Sequence, residues 1–307
     1  MQSWSRKSFF FSFFLLVGSS VLYSVPDNET RLILLGTGTP NADPSRAGPA
    51  LAISVGDRSY IVDFGPGIVR QAAALSSNRG GPFESLNPKN LKVVFLTHLH
   101  SDHTAGYPDL ILTPWVLERS DPLKVFGPKG IKNMTTKILE AYKADIDYRI
   151  DGLEPANESG WKVEAVEVNE GIIYEDELIE VIAFKVNHGT WDNAYGYKFI
   201  TEDKTIVVSG DTAPSKQLTE ISRGVDILVH EVYSQAGFNR RTEVWKKYHA
   251  SHHTSTKELA EIANEAQPKL LVLTHVLFWG STEEEIMEEV KSNYSGQVSL
   301  GQDLSIY

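Results

Sequence analysis

The sequence predicts an α/β fold in which two sheets pack face to face with helices on their outer faces, an αββα four-layer sandwich. Three observations lead there. Strand runs occur in both halves of the chain, helical periodicities are interspersed among them, and several apolar runs are unbroken in the manner of strands covered on both faces. The chain has 307 residues, 41% of them hydrophobic, enough to bury one large core. After the first 24 residues no Pro/Gly/Ser linker, low-complexity stretch or tandem repeat divides it. Composition alone is equally compatible with other α/β layouts.

The first segment, MQSWSRKSFFFSFFLLVGSSVLYS (residues 1–24), stands apart. Basic Arg6 and Lys7, an apolar run from Phe9 to Val17 and small residues after it form the three-part layout of a signal peptide. The apolar run is short for a bilayer span. The expectation is a signal peptide over 1–24, a hydrolase domain over 25–307, export to the periplasm or medium, and no membrane span after removal of the signal. RLILLGTGTP (31–40) reads as a strand ended by Gly36, Gly38 and Pro40. LAISVGDRSYIVDFGPG (51–67) reads as two strands joined at Gly56-Asp57, with a helix over Ile68–Leu75. LKVVFLTH (91–98) suits a strand buried on both faces. Helices are expected near Tyr107–Glu118 and Ile131–Ala144, then strands in WKVEAVEV, LIEVIAFKV, AYGYKFIT and KTIVVSGDT. In the last third, helical SKQLTEISRG, TSTKELAEIANEA and STEEEIMEEVKSNY alternate with the strands VDILVHEVY and KLLVLTHV.

Composition bounds the chemistry. With no cysteine there is no disulfide, thiol nucleophile or thiolate ligand, so any metal must sit on His, Asp or Glu. The net charge is −11, and removal of Arg6 and Lys7 would bring it to −13. Such a chain repels phosphate backbones unless a local basic patch overrides the field, and no basic run of that kind stands out. On this ground a nucleic-acid partner is not expected.

FLTHLHSDHTAG (95–106) packs three of the nine histidines and an aspartate into six positions after an apolar run. His98 and His100 alternate at a strand end, and Asp102 and His103 lie on the turn into the next helix. Neutral imidazole and carboxylate suit Zn²⁺ or a similar divalent ion. Other apolar runs also deliver a polar group at their ends: His188 in AFKVNHGT, Asp211 in IVVSGDT and His275 in LVLTHV. Taken singly, each of these is as readily a core or surface residue.

Together these motifs resemble the metallo-β-lactamase fold superfamily, from about Arg31 to Tyr307. The resemblance implies two metals, zinc with Mn²⁺ or Fe²⁺ as alternatives. His98, His100 and His188 would hold the first, Asp102, His103 and His275 the second, with Asp211 shared. Two close cations supply a nucleophile at neutral pH and neutralise charge on the attacked ester, and Asp102 would orient that nucleophile. LVHEVYS and HHTSTKELAEIA resemble paired loops of ribonuclease Z and its relatives. Through that likeness, Glu231 would orient His253, the proton donor to the leaving group, with His249 and His252 close enough to be confused with it.

In ribonuclease Z a long arm that grips tRNA lies between the third histidine motif and the shared aspartate; here only 22 residues separate His188 from Asp211. DFGPG (63–67) also stands where that family has an acidic glycine-rich turn. With the export signal and the acidic charge, this favours the arm-less, arylsulfatase-like branch. The expectation is therefore an exported dinuclear zinc hydrolase cleaving a sulfate or phosphate ester of a small, possibly aromatic, alcohol. A ribonuclease Z-type tRNA 3′-processing endonuclease and a lactonase are the alternatives. Trp115, Trp191 and Tyr195 are candidates to wall an aromatic pocket. GTGTP lacks the spacing of a nucleotide cradle and reads as a tight turn near the site. An exposed apolar face would leave room for a homodimer.

Overall fold

A computed structural model describes residues 29–307; the expected signal peptide lies outside the described residues. The first sheet has the order β1 (Arg31–Gly36), β2 (Ala50–Val55), β3 (Arg58–Val62), β4 (Leu91–Phe95), β5 (Leu123–Gly127) and β6 (Val163–Glu167). The second contains β7 (Gly171–Glu175), β8 (Glu180–Lys185), β9 (Tyr195–Ile200), β10 (Thr205–Val208), β11 (Ile227–Tyr233), β12 (Leu270–Leu277) and β13 (Val298–Leu300), with β13 and β7 at its edges. Hairpins join the antiparallel pairs, whereas β3 to β6 and β10 to β13 run parallel.

Strand alternation sorts the apolar residues into three cores, and three cores separate four layers. On β1, Leu32 and Leu34 point between the sheets, while Ile33 and Leu35 point to the outer helices. The middle core adds Ile53, Val62, Phe95, Tyr197, Phe199, Val229 and Val272. The outer face of the first sheet is covered by α1 (Ile68–Ala74), α3 (Tyr107–Val116) and α4 (Ile131–Ala141), which follow or flank the short α2 (Ser101–Thr104). After α5 (Lys143–Asp151), the second sheet is covered by α6 (Lys216–Ile221), α9 (Thr256–Ala266) and α10 (Glu283–Lys291). Between them lie α7 (Gln235–Asn239) and α8 (Glu243–His252). The four-layer sandwich expected from the sequence is the fold observed.

Three local expectations need correction. The helix expected over 131–144 stops at Ala141, because Tyr142 leaves the helical region (φ −97°, ψ 8°), and α5 starts afresh. The strand GIIYE was not anticipated; it is a half-exposed edge strand with little apolar alternation. The helix α8 was also missed, since its hydrophobic residues Val244 and Trp245 face outward. Among the described residues, no helix is long and apolar enough to cross a membrane.

Candidate metal centre

The strands that carry the site residues end at one rim of the sandwich. β4 runs out into His98 and His100, and α2 then carries Asp102 and His103. The segment after β8 brings His188, and β10 leads to Asp211 through Gly210. That glycine has φ +61°, and a Cβ there would lie 2.7 Å from the Tyr195 carbonyl oxygen. His275 is set by a bulge in β12. Glu231 pairs with Thr274 and Val232 with Val276, so His275 is the extra residue, held at φ 47°. An extra residue in a strand re-aims its side chain.

All seven residues expected to hold metal converge. His100 Nδ1 lies 2.9 Å from His98 Nε2 and 3.1 Å from His188 Nε2. On the other side, Asp102 Oδ2 lies 3.2 Å from His275 Nε2 and 3.6 Å from His103 Nε2. Asp211 lies between the two groups: its Oδ2 is 3.5 Å from His103 Nε2 and 3.9 Å from His98 Nε2, and its Oδ1 is 3.7 Å from His275 Nδ1. Donor atoms of His98, His100 and His188 fall within 4.8 Å of one another, as do those of Asp102, His103 and His275.

A buried second set of contacts turns the rings. His188 Nδ1 donates to the His252 carbonyl at 2.9 Å, leaving Nε2 as a lone pair facing inward. His103 Nδ1 donates to Asp63 Oδ2 at 2.7 Å. The Thr97 hydroxyl donates to the same Asp63 oxygen at 2.9 Å, so it accepts from His98 Nδ1 at 3.0 Å. Asp63, at φ 60° after β3, was not anticipated as a site residue. Its signal was present, because SYIVDFG is one more apolar run that delivers a carboxylate at its end.

The donor set fits divalent cations. His103 Nε2 and His275 Nδ1 are buried without a hydrogen-bond partner, which is costly unless another group binds them. Protons serve only part of the cluster. Burial drives the His98 imidazole well below its usual range and His188 down to about 4. Burial also works against charge on Asp211, but His275 and His103 outweigh it and hold the carboxylate ionised. Burial also opposes charge on His103 and His275, but Asp211 and the carboxylates of Asp63 and Asp102 outweigh it and raise both rings, so this carboxylate cluster attracts positive charge of the kind a divalent cation supplies.

Beside this cluster, Glu231 is buried on β11. Its Oε1 accepts from the backbone N–H groups of Thr254 (2.9 Å) and Thr212 (3.3 Å), and its Oε2 lies 3.4 Å from His253 Nδ1. His253 in turn is 4.0 Å from Asp211. Its neighbours point elsewhere: His252 stacks on Tyr248 and uses Nδ1 on backbone and Ser251, while His249 packs among tryptophans. Of the three aromatic candidates, Trp191 alone reaches the site, its ring 4.7 Å from that of His100. Trp115 and Tyr195 are buried core residues bonded to backbone carbonyls.

A model of the β-lactamase superfamily domain matches residues 58–276. Ribonuclease Z from Mycobacterium bovis is 30% identical over 283 residues, covering 89% of this chain and 96% of the relative. Ribonuclease Z from Mycobacterium sp. (strain KMS) is 32% identical over 278 residues, covering 89% and 94%. Among solved structures, the metallo-β-lactamase fold protein YhfI from Bacillus subtilis superposes with TM-score 0.70 at 16% identity, covering 91% of this chain and 98% of that one. The short form of human tRNase Z does so with TM-score 0.67 at 20% identity, covering 90% and 98%. At these identities the two structures speak for the fold alone.

These relatives overturn the expectation of an exported sulfate- or phosphate-ester hydrolase acting on a small alcohol, and with it the expectation against a nucleic-acid partner. The missing arm does not discriminate. The hairpin β9–β10 does fill the interval from His188 to Asp211. Yet 89% of 307 residues is about 273, against 283 aligned positions, so inside the alignment the M. bovis ribonuclease Z carries only about ten residues that this chain lacks. The charge argument fails within the sequence itself. RRTEVWKKYHASHH (240–253) sets Arg240, Arg241, Lys246 and Lys247 against one carboxylate, Glu243, and α8 folds beside the site. The expectation of a periplasmic or secreted chain falls too, since it rested on residues 1–24 while most of the chain aligns with enzymes named for an RNA substrate.

Proposed function

Because the chain belongs to the β-lactamase superfamily, in the part of it related to ribonuclease Z, we propose that it is a metal-dependent phosphodiesterase of the ribonuclease Z type, cleaving precursor tRNA at its 3′ side. The observation that carries this reading is the 32% identity to a ribonuclease Z over 94% of that relative's length. The hydrolase domain is taken to run over residues 25–307.

In this reading His98, His100 and His188 hold one metal, Asp102, His103 and His275 a second, and Asp211 is shared. Zinc is the ion we propose; such ions supply a nucleophile at neutral pH and offset charge on the phosphoryl oxygens. Asp63, Thr97 and the His252 carbonyl fix the tautomers of His103, His98 and His188, so that each Nε2 offers a lone pair. Asp102, besides holding the second ion, would orient the attacking nucleophile. His253, oriented by Glu231, donates a proton to the leaving oxygen. Burial drives the His253 ring down to about 4 in the free site, and the negative charge of a bound phosphodiester would favour its protonated form.

The experiment is incubation of the metal-loaded protein with a precursor tRNA bearing a 3′ trailer, with and without chelator. Chelator-sensitive release of the trailer is expected. A fully loaded protein that hydrolyses a small phosphodiester but leaves the precursor intact would remove tRNA from the reading.

A further inference from the structure

A cation lies against two tryptophans that pack on His249, the neighbour of His253. The Arg241 guanidinium carbon is 5.5 Å from the ring centre of Trp245 and 5.3 Å from that of Trp279. Among the described residues no carboxylate pairs with Arg241, and its Nε is buried without a hydrogen-bond partner. His249 is 7% exposed, stacks on Trp245 (5.4 Å, 20°) and lies 4.3 Å from Trp279; neither of its ring nitrogens has a partner. The cluster is continuous with the site, since the rings of His249 and His253 are 5.7 Å apart. Its outer edge is open, with Trp245 48% and Tyr248 37% exposed.

Buried polar atoms without partners are costly, and three of them gather behind one open aromatic edge: Arg241 Nε and the two ring nitrogens of His249, one an N–H donor and one a lone pair in the neutral ring. A guanidinium fork matches a phosphate, and exposed aromatic rings stack bases without regard to sequence. We propose that Arg241, His249 and Trp245 receive the nucleotide on the leaving-group side of the scissile bond. The terminal nitrogens of the Arg241 guanidinium bond its phosphate, the buried His249 ring backs Trp245, and the open edge of Trp245 and Tyr248 holds its base. The proposal rests on the phosphodiesterase reading, because an RNA substrate is what brings a second phosphate and a base to the far side of His253.

The test is equilibrium binding of adenosine 5′- and 3′-monophosphate to the metal-loaded protein, read by tryptophan fluorescence, with inorganic phosphate as the control that lacks a base. Arg241→Gln is expected to weaken nucleotide binding by about tenfold or more. Arg241→Lys should recover part of that loss, and Trp245→Leu should abolish the fluorescence response while phosphate still binds. Unchanged nucleotide affinity in Arg241→Gln, or a wild-type protein that binds nucleotide no better than phosphate, overturns the receptor. Turnover of bis(p-nitrophenyl) phosphate, measured alongside, separates the two claims. Chelator-sensitive turnover without nucleotide binding keeps the phosphodiesterase and removes the receptor. Nucleotide binding that depends on Arg241, without any turnover, keeps the receptor and removes the phosphodiesterase.

Discussion

Asp63 sits behind the site, yet the rings of His98 and His103 both depend on it. One oxygen accepts from His103 Nδ1 and the Thr97 hydroxyl, and the other accepts from the Thr97 backbone N–H at 2.8 Å. Asn at this position keeps one acceptor and loses the charge. Asp63→Asn should therefore weaken metal binding at the His103 side by about 10–100-fold, the usual cost of losing an orienting carboxylate. Competition against a chelator of known affinity measures it, and unchanged affinity would show that His103 is held by packing alone. His253 gives the complementary result. His253→Ala should keep its metal and lose about 10²–10⁴-fold in turnover of a substrate with a poor leaving group. The loss should be much smaller on a nitrophenyl ester, which needs no proton. At this scale the sequence was informative because ligand types are few and each follows an apolar run. Asp63 obeyed that rule and was passed over because it stands alone, about 35 residues before the histidines. The choice among His249, His252 and His253 rested on the likeness to ribonuclease Z loops, since helix α8 and its end decide which ring faces Asp211.

The elements around the site are held by capping as well as by burial. Ser255 caps α9 with a full capping box: its hydroxyl accepts from the Glu258 N–H, and the Glu258 carboxylate accepts from the Ser255 N–H at 3.0 Å. This cap directly follows Thr254, whose backbone N–H holds Glu231. Ser255→Ala should lower stability by about 1 kcal/mol in urea unfolding. Turnover should fall alongside, because the short loop that carries His253 ends at the same cap. A stability loss with turnover unchanged would separate the helix start from the position of His253. Strand ends were legible because apolar runs stop abruptly at polar residues. The bulge at His275 was not, because LLVLTHVL alternates no differently from a regular strand. Helix α8 was hidden for another reason. Its outward Trp245 and its buried His249 reverse the pattern that marks an amphipathic helix.

Across the whole molecule, buried histidines make the fold sensitive to acid. His230, fully buried on β11, is driven by burial to about 4, against 6.5 when unfolded. Its stabilising contribution is complete above about 6.5 and is lost as pH falls from there toward 4, because only the unfolded chain takes up the proton in that window. The loss is on the order of 3 kcal/mol. Urea midpoints at pH 7.5 and 5 should therefore differ less in His230→Asn than in the wild type, and an equal fall in both would assign the acid sensitivity to other groups. Net charge was the global property that misled. A value of −11 describes the average surface, while the site is lined by imidazoles and the adjoining α8 segment carries Arg240, Arg241, Lys246 and Lys247, which long-range averaging does not register. A site that hydrolyses a phosphodiester of RNA prefers a precursor tRNA to small esters. The most direct measurement compares kcat/KM for a precursor tRNA with that for an aryl sulfate and an aryl phosphodiester, using one metal-loaded preparation with and without chelator. Chelator-sensitive cleavage of the precursor at the 3′ trailer, faster than turnover of either small ester, is expected. Rapid aryl sulfate hydrolysis with an untouched precursor would contradict the RNA phosphodiesterase reading.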